Sequence, residues 1–230
     1  MSIAFSTVNT TIKVILRLIC RIDAAALNYI PQTGPLILVA NHVNFLEVPL
    51  VFTHLQPRPV TGFAKAETWD NPVMRQLFNL WKAIPLERGE ADIQAMRQAL
   101  KVLENYGILA IAPEGTRSGD GKLRKGHPGV VTLALLSGSP ILPLVYYGGE
   151  QFGENIRRLR RTDFKILVGR TFTLDTKGVK VTRLVRQQMV DEIMYQLAAL
   201  LPPAYRGYYK SLNLATTNFL QFLPNSDTPG

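Results

Sequence analysis

His42 and Glu47 are the two side chains of this sequence whose types and spacing best suit acid–base chemistry. An imidazole with an ordinary pKa of about 6.5 takes up a proton near neutral pH, and a neighbouring carboxylate can fix its tautomer and stabilise its charged form. On a regular helix, residues five positions apart point about 140° away from each other, so this pair requires a turn. Pro49, which is tolerated only in the first turn of a helix, predicts that a helix begins near residues 46 to 48, directly after such a turn.

The stretch Asn44-Phe45-Leu46-Glu47 also has the pattern of a capping box, in which a polar side chain and a glutamate together begin a helix. In that interpretation His42 is an ordinary polar residue of the preceding loop. The stretch taken alone supports the two interpretations equally.

A second polar motif, Pro113-Glu114-Gly115-Thr116-Arg117, combines an acid, a flexible glycine and a guanidinium group. Arginine can hold a phosphate through two parallel hydrogen bonds. The motif directly follows the apolar run 108–112, just as Asn41-His42 follows the apolar run 35–40. Such runs predict buried strands, and α/β sheets bind ligands at the carboxyl ends of their strands. The two motifs together therefore predict one site at one edge of a sheet.

The rest of the chain alternates between strand-like and helix-like patterns. This alternation predicts an α/β fold with a mostly parallel central sheet flanked by helices. Further strands are predicted at residues 59–64, 141–147 and 164–168, and helices at residues 71–81, 91–106, 128–138 and 181–200. Residues 204–230 are rich in tyrosine, asparagine and proline and have no regular pattern.

Residues 3–22 predict an N-terminal amphipathic helix. Apolar residues recur there mostly at three- and four-residue spacing, and Lys13, Arg17 and Arg21 lie on another face. Such a helix can lie in a membrane interface, although packing on the protein's own core explains the apolar stripe as well; the positive face favours lipid. The three charges interrupt the run, so neither a membrane-spanning helix, which needs roughly 20 apolar residues, nor a cleaved signal peptide is expected.

The 230 residues carry 26 Lys and Arg against 17 Asp and Glu, a formal net charge of +9 that favours an anionic partner. Nucleic acid is not expected, because charge alone supports it and no aromatic-and-basic recognition motif is present. The basic run 157–161 suits contact with anionic lipid or an acidic carrier protein, or is a solvated surface loop. Cys20, the single cysteine, excludes an internal disulfide.

Several enzyme classes lack their usual signatures in this sequence. The three histidines, His42, His54 and His127, do not have the spacing of metal ligands, so no metal or other cofactor is expected. A Gly-x-Ser-x-Gly nucleophile motif is missing, and the stretch around Gly119-Asp120-Gly121-Lys122 does not fit a phosphate loop.

In order and spacing, the two motifs resemble those of the glycerolipid acyltransferases typified by 1-acylglycerol-3-phosphate acyltransferase. Asn41-His42 to Glu47 is similar to the family's Asn-His-x-x-x-x-Asp, and residues 113–117 match its Pro-Glu-Gly-Thr-Arg. The resemblance covers roughly residues 30–147 and includes three further blocks: Ala64-Lys65-Ala66-Glu67, Ile84-Pro85-Leu86-Glu87-Arg88 and Ile141-Leu142-Pro143-Leu144.

The resemblance implies that His42 deprotonates an acceptor hydroxyl, which then attacks the thioester of acyl-CoA or an acyl-carrier protein without a covalent acyl-enzyme. It implies that the acceptor is a lysophospholipid, foremost 1-acylglycerol 3-phosphate, and that the product is phosphatidic acid. The protein is expected to work as a peripheral protein on the cytoplasmic face of a membrane phospholipid surface. The residues expected to hold the acceptor phosphate are Lys65, Arg88, Glu114, Gly115, Thr116 and Arg117.

The sequence departs from the family pattern at Glu47, which stands where the resemblance implies aspartate. Its carboxylate lies one methylene further from the backbone, and a misplacement of about 1 Å can cost ~100-fold in rate. Either the turn compensates, or the protein uses another acceptor or is a weakly active lipid-binding relative. Three segments are expected: a membrane-associating helix region at 1–30, an acyltransferase domain at 31–203 and a C-terminal tail at 204–230.

Overall fold

A mixed nine-stranded sheet organises the protein in a computed structural model that describes residues 3–87 and 92–224. Its strands, in chain order, are β1 (Cys20–Asp23), β2 (Leu36–Ala40), β3 (Val60–Lys65), β4 (Ile84–Leu86), β5 (Ile108–Ile111), β6 (Ile141–Tyr147), β7 (Thr162–Val168), β8 (Phe172–Leu174) and β9 (Leu220–Phe222). They are ordered β1-β7-β6-β2-β5-β3-β4, with β8 beside β6 and β9 beside β8.

The five central strands, β6, β2, β5, β3 and β4, are mutually parallel. Strand β7 runs antiparallel to β6, and β1 runs parallel to β7. The apolar run of β2 is buried on both faces, as a central parallel strand requires, whereas β7 alternates between buried and exposed residues. The predicted α/β fold with a mostly parallel central sheet is confirmed.

Helices cover both faces of the sheet. They are α1 (Ile3–Ile19), α2 (Glu47–His54), α3 (Pro72–Leu80), α4 (Ile93–Glu104), α5 (Gly129–Ser137), α6 (Phe152–Arg157) and α7 (Arg183–Leu200). Buried side chains of α1 and α2, with Trp81 directly after α3, pack on one face, where Leu38 and Leu144 project. Those of α4, α5 and α7 pack on the other face, where Val39 and Val145 project. Successive strand residues thus feed two separate apolar layers.

The N-terminal helix is present but ends at Ile19, so the expectation of a helix through residue 22 is wrong at its end. Residues Cys20–Asp23 instead form β1, whose register pairs Cys20 with Thr162. The backbone groups of this segment are satisfied by β7, a partner some 140 positions away that local spacing does not reveal.

The C-terminal residues 204–224 pack onto the same core as the rest of the chain. Tyr209, Phe219 and Leu220 are buried with side chains of α7, and β9 extends the sheet through β8. The buried carboxylate of Glu192 accepts hydrogen bonds from the backbone N–H groups of Asn218 and Phe219 at 3.0 and 2.9 Å. Residues 204–224 therefore share the hydrophobic core of α7.

Within residues 3–87 and 92–224, no helix is long and apolar enough to cross a bilayer. Helix α1 packs Leu16 and Ile12 against the core, while Val14, Ile15 and Leu18 remain exposed. The helix thus has apolar side chains both on the face that packs against the core and on the face that is exposed to solvent.

Candidate active site

The sheet brings the two sequence motifs together at one edge. Strands β2 and β5 are parallel neighbours, with Val39 paired with Ile111. His42 and Glu114 each lie three residues beyond that pair, so both follow carboxyl strand ends at the same level. Ligands of α/β sheets bind at this position.

His42 and Glu47 form a hydrogen-bonded pair. The ring Nδ1 of His42 lies 3.1 Å from Oε2 of Glu47, the first residue of α2. The Glu47 side chain is buried, while 24% of the His42 side chain is exposed. A carboxylate only accepts, so the geometry fits an Nδ1–H donor and leaves Nε2 as the basic ring nitrogen. The turn before Pro49 thus brings together two side chains that a regular helix would point about 140° apart.

Asn44 holds this turn in place. Its backbone N–H donates to both carboxylate oxygens of Glu47, at 3.0 and 3.1 Å, and its Oδ1 accepts the N–H of Leu46 at 2.8 Å. Its amide also donates to the carbonyl of Gly149, just beyond β6, at 2.7 Å. The helix-start interpretation and the acid–base interpretation are therefore compatible, because the Glu47 carboxylate accepts the backbone N–H of Asn44 and also contacts the His42 ring.

Asn41 ties the end of β2 to β6. Its side-chain amide donates to the carbonyl of Tyr146 and its Oδ1 accepts the N–H of Tyr146, both at 2.8 Å. Asn41 is buried, so these bonds continue the strand pairing one step past Ala40. The residue preceding the candidate base is consequently fixed to the sheet.

Glu114 is buried directly behind His42, with 2% of its surface exposed. Its Oε1 accepts the backbone N–H of His42 at 2.9 Å and its Oε2 accepts that of Arg124 at 2.8 Å. Burial raises the pKa of Glu114 to about 7, although the two N–H donors and the charges of His42 and Arg124 favour the carboxylate. Both oxygens of Glu114 accept backbone N–H groups and so join the two loops, and the phosphate-binding role that the resemblance implies for it stays a prediction.

Gly115, Thr116 and Arg117 lie exposed on the turn that follows Glu114. Gly115 has a φ of +66°, which glycine adopts without strain, and its N–H donates to the carbonyl of Ala112 at 3.1 Å. The ring of His127 lies against it, and a Cβ at position 115 would lie 3.3 Å from Cδ2 of His127. The turn therefore presents its backbone and the Arg117 side chain to solvent.

Two backbone hydrogen bonds join this turn to the His42 loop. Ser118 donates to the carbonyl of His42 at 2.7 Å, and Gly119 donates to that of Val43 at 3.0 Å. Together with Glu114 they fix the two motifs relative to each other. The candidate base and the candidate phosphate-binding turn thus belong to one rigid edge.

Of the remaining two predicted phosphate-binding residues, the structure describes only Lys65. Lys65 is exposed at the carboxyl end of β3, the strand beside β5. Arg88 lies outside the described residues. Neither Lys65 nor Arg117 forms an ion pair with an acid of residues 3–87 or 92–224.

Sequence patterns did not single out Arg124, whose backbone completes the Glu114 brace, or the C-terminal contacts to the same loop. Leu123 donates to the carbonyl of Tyr205 at 3.0 Å and accepts the N–H of Tyr208 at 2.9 Å. The hydroxyl of Tyr209 accepts the N–H of Gly126 at 3.0 Å and donates to Asp191 at 2.8 Å. The density of basic residues from Lys122 onward was the one local signal in this stretch.

No group of histidine, cysteine and acidic side chains in the described part of the chain could hold a metal ion. The arrangement at the edge is a base oriented by an acid, beside an exposed turn with an arginine. Such a site can activate a hydroxyl group while it holds an anion.

The sequence matches curated proteins over about half to two thirds of its length. It is 37% identical over 115 residues to the 1-acyl-sn-glycerol-3-phosphate acyltransferase of Limnanthes alba, a match that covers 49% of this chain and 41% of that protein. It is 24% identical over 159 residues to the enzyme of the same name from Bacillus subtilis, covering 69% of this chain and 77% of the relative. The chain thus spans about two-fifths of the length of the plant relative.

The fold is similar to a solved structure, the 1-acyl-sn-glycerophosphate (LPA) acyltransferase PlsC of Thermotoga maritima. The TM-score is 0.64 at 22% identity, and the match covers 85% of this chain and 78% of the other. A family model described as Acyltransferase matches residues 21–147, which include both motifs and the paired strand ends. Because that match covers more than half of the sequence, the chain belongs to the Acyltransferase family.

Proposed function

We propose that the protein transfers a fatty acyl group from an acyl thioester to the free hydroxyl of a lysophospholipid, foremost 1-acylglycerol 3-phosphate. The observation that carries this proposal is the 3.1 Å contact between His42 and Glu47 beside the Gly115–Arg117 turn. The names of the matching relatives support the same acceptor.

In the proposed reaction, Nε2 of His42 takes the proton of the acceptor hydroxyl as its oxygen attacks the thioester carbonyl. The tetrahedral intermediate then collapses, the carbon–sulfur bond breaks, and the departing thiolate takes the proton from His42. The products are the ester, phosphatidic acid, and the free thiol of CoA or the carrier protein. Glu47 keeps Nε2 free for this work and stabilises the imidazolium, and the base contributes ~10²–10⁴-fold in rate.

The phosphate of the acceptor is proposed to bind at the exposed turn. Arg117 offers a planar, always charged fork that matches phosphate oxygens, and Lys65 lies at the end of a neighbouring strand. Holding the reacting groups in position supplies several kcal/mol towards the barrier. Glu114 acts in this scheme through the His42 backbone and not on the acceptor.

Glu47 supports an active enzyme rather than the weakly active lipid-binding alternative. That alternative was motivated by the extra methylene of glutamate, yet the carboxylate reaches Nδ1 and is held by two hydrogen bonds from Asn44. The turn therefore accommodates the longer side chain.

The protein is proposed to work as a peripheral protein on the cytoplasmic face of a membrane. The exposed apolar side chains of α1, Val14, Ile15 and Leu18, with the net charge of +9, support contact with an anionic lipid surface.

The test is incubation of purified protein with 1-acylglycerol 3-phosphate and either acyl-CoA or acyl-carrier protein, with phosphatidic acid measured by mass spectrometry. The expected result is product with at least one donor, reduced at least ~100-fold in a His42→Ala variant. A panel containing other lysophospholipids, glycerol 3-phosphate and a monoacylglycerol identifies the preferred acceptor. Product formation equal to that of the His42→Ala variant, with both donors and every acceptor, would refute the proposal.

A further inference from the structure

The basic run 157–161 adjoins the end of α1, and the exposed side chains of these two segments are here called the basic edge surface. Its members are the side chains of Arg17, Leu18, Arg157, Leu159 and Arg160. The guanidinium group of Arg161 links the two parts, because it donates to the carbonyls of Arg17 and Cys20, the latter at 2.7 Å.

This surface lies at the same edge of the sheet as His42. Tyr147, at the carboxyl end of β6, pairs with Lys165 near the start of the antiparallel β7, so the loop before β7 emerges where β6 ends. Cys20 pairs with Thr162, which places the end of α1 there as well. Asn44, in the His42 loop, bonds to Gly149 at that same end of β6.

Leu159 is the most exposed apolar side chain of the surface. It is 94% exposed, and its φ of +52° is one that leucine rarely adopts. An asparagine or glycine would occupy this conformation at lower cost. Leu18, 69% exposed, adds a second apolar group at the end of α1. The positive φ closes the end of α6, where the N–H of Arg160 donates to the carbonyl of Asn155 at 2.8 Å, so the exposure of an apolar side chain there is the feature that points to a partner.

The charges around these two leucines are mostly positive, and the nearby acid Asp163 is paired with Arg21 at 3.4 Å. Arg17, Arg157 and Arg160 form no ion pair with any acid in the part of the chain that the structure describes. Arg158 pairs with Glu154 at 2.8 Å on the exposed α6. Apolar tips flanked by unpaired arginines complement an anionic bilayer surface, where lipid phosphates lie above acyl chains.

We propose that the basic edge surface docks on an anionic phospholipid bilayer, with Leu159 and Leu18 inserted and the arginines on the lipid phosphates. Docking in this way turns the edge that contains His42 towards the membrane. The docking specifies the surface for the membrane association proposed above, and the use of that orientation for acyl transfer rests on the proposed acyltransferase activity. An acidic carrier protein would complement the charge of the arginines, but unlike a bilayer it offers no acyl chains into which Leu159 could insert.

The test is sedimentation of the purified full chain with vesicles of equal phosphatidylcholine and phosphatidylglycerol, compared with pure phosphatidylcholine. Leu159→Asn suits the positive φ, so we expect unchanged or higher resistance to denaturant together with about tenfold weaker vesicle binding. Arg157→Glu combined with Arg160→Glu is expected to weaken binding to the anionic vesicles at least about 30-fold. Binding to pure phosphatidylcholine should be much weaker for every form of the protein.

Matched controls lie on α7, on the opposite face of the sheet. Leu184 is 83% exposed, and Arg183 and Arg186 are exposed beside it. Leu184→Asn, and Arg183→Glu combined with Arg186→Glu, change composition and charge equally and should leave vesicle binding within about twofold. The proposal is overturned if the control variants lose as much binding as the edge variants. It is equally overturned if the edge variants bind vesicles normally but lose binding to acyl-carrier protein.

A separate assay distinguishes this proposal from the proposed function. With a short-chain, water-soluble acceptor and no vesicles, the Leu159 and arginine variants should transfer acyl groups as fast as the unaltered protein. If the unaltered protein transfers nothing while vesicle binding responds as expected, the proposed function fails and the docking surface stands.

Discussion

The backbone N–H of His42 donates a 2.9 Å hydrogen bond to the buried carboxylate of Glu114, a residue 72 positions away. Because the other oxygen of Glu114 holds the N–H of Arg124, one side chain fixes both the loop of the candidate base and the loop that follows the candidate phosphate-binding turn. Activity is therefore expected to depend on an acid that does not itself contact the substrates.

Glu114→Gln tests this brace. A glutamine amide would place its NH₂ group against one of the two backbone N–H donors and leave that donor unsatisfied, at a cost of about 1–3 kcal/mol. We expect a lower free energy of unfolding in denaturant titrations and a lower kcat for acyl transfer. Glu104→Gln, at an exposed position at the end of α4, is the control and should change neither. Equal stability of the Glu114→Gln variant and the unaltered protein would contradict the role assigned to the brace.

Glu114 also predicts how stability depends on pH. Its pKa is raised to about 7 in the folded protein, so the fold binds a proton there that the unfolded chain, with an ordinary glutamate pKa near 4.5, has already released. This contribution to stability is complete below about pH 4.5, is lost as the pH rises to about 7, and is worth about 3 kcal/mol. Unfolding titrations at pH 5 and pH 8 should show a larger decline for the unaltered protein than for Glu114→Gln. Parallel pH profiles would argue against the raised pKa.

Glu47→Asp tests whether the site is built around glutamate. The shorter side chain withdraws its carboxylate from Nδ1 of His42, and a misplacement of this size costs about 10–100-fold in rate. We expect kcat to fall while the KM for the acceptor changes little. Glu47→Gln, which keeps the length but removes the charge, should also lower kcat. A gain in turnover with aspartate would instead reveal an impaired native pair.

Arg117→Ala tests the phosphate-binding turn. A charge-assisted hydrogen bond is worth about 1.5–3 kcal/mol, so we expect the KM for 1-acylglycerol 3-phosphate to rise about 10–100-fold and Arg117→Lys to recover part of the loss. Any transfer to a monoacylglycerol, which lacks the phosphate, should be unaffected. Arg97→Ala, at an exposed position on α4, controls for lost charge. Equal effects on the two acceptors would show that Arg117 does not bind the phosphate.

Tyr146→Phe is expected to stabilise the protein by about 1 kcal/mol. The hydroxyl of Tyr146 is buried and has no hydrogen-bond partner among the described residues, and burial holds its pKa well above the usual range. Removing an unsatisfied polar atom from an apolar site lowers the cost of folding. Thermal unfolding should show a higher Tm, and a lower Tm would mean that the hydroxyl makes a favourable contact.

Strands β2, β5 and β6 could be predicted from the sequence because they are short apolar runs, whereas the three-residue β4 was not predicted. Strand β1 could not be, because the four-residue spacing of Lys13, Arg17 and Arg21 continues the helical pattern while its partner β7 is far away in sequence. The irregular C-terminal residues give no periodic signal, although Tyr209 is part of the core.

The candidate site divides in the same way. The pairing of His42 with Glu47 could be predicted because both belong to one short turn. The position of Glu114 could not, because an acid next to Gly115 and Arg117 suggests ligand contact, and only the assembled loops show both of its oxygens on backbone donors. Local spacing thus identified the candidate reactive groups, and long-range packing determined which of them stay buried.

The hydrogen bonds that join the Leu123–Gly126 loop to Tyr205, Tyr208 and Tyr209 have a practical consequence for protein engineering. A chimera that exchanges only residues 21–147 with a relative would separate this loop from the C-terminal tyrosines that hold it. Exchanges intended to alter acceptor choice should therefore replace residues 205–209 together with the loop, because the two segments are separate in sequence but hydrogen-bonded to each other.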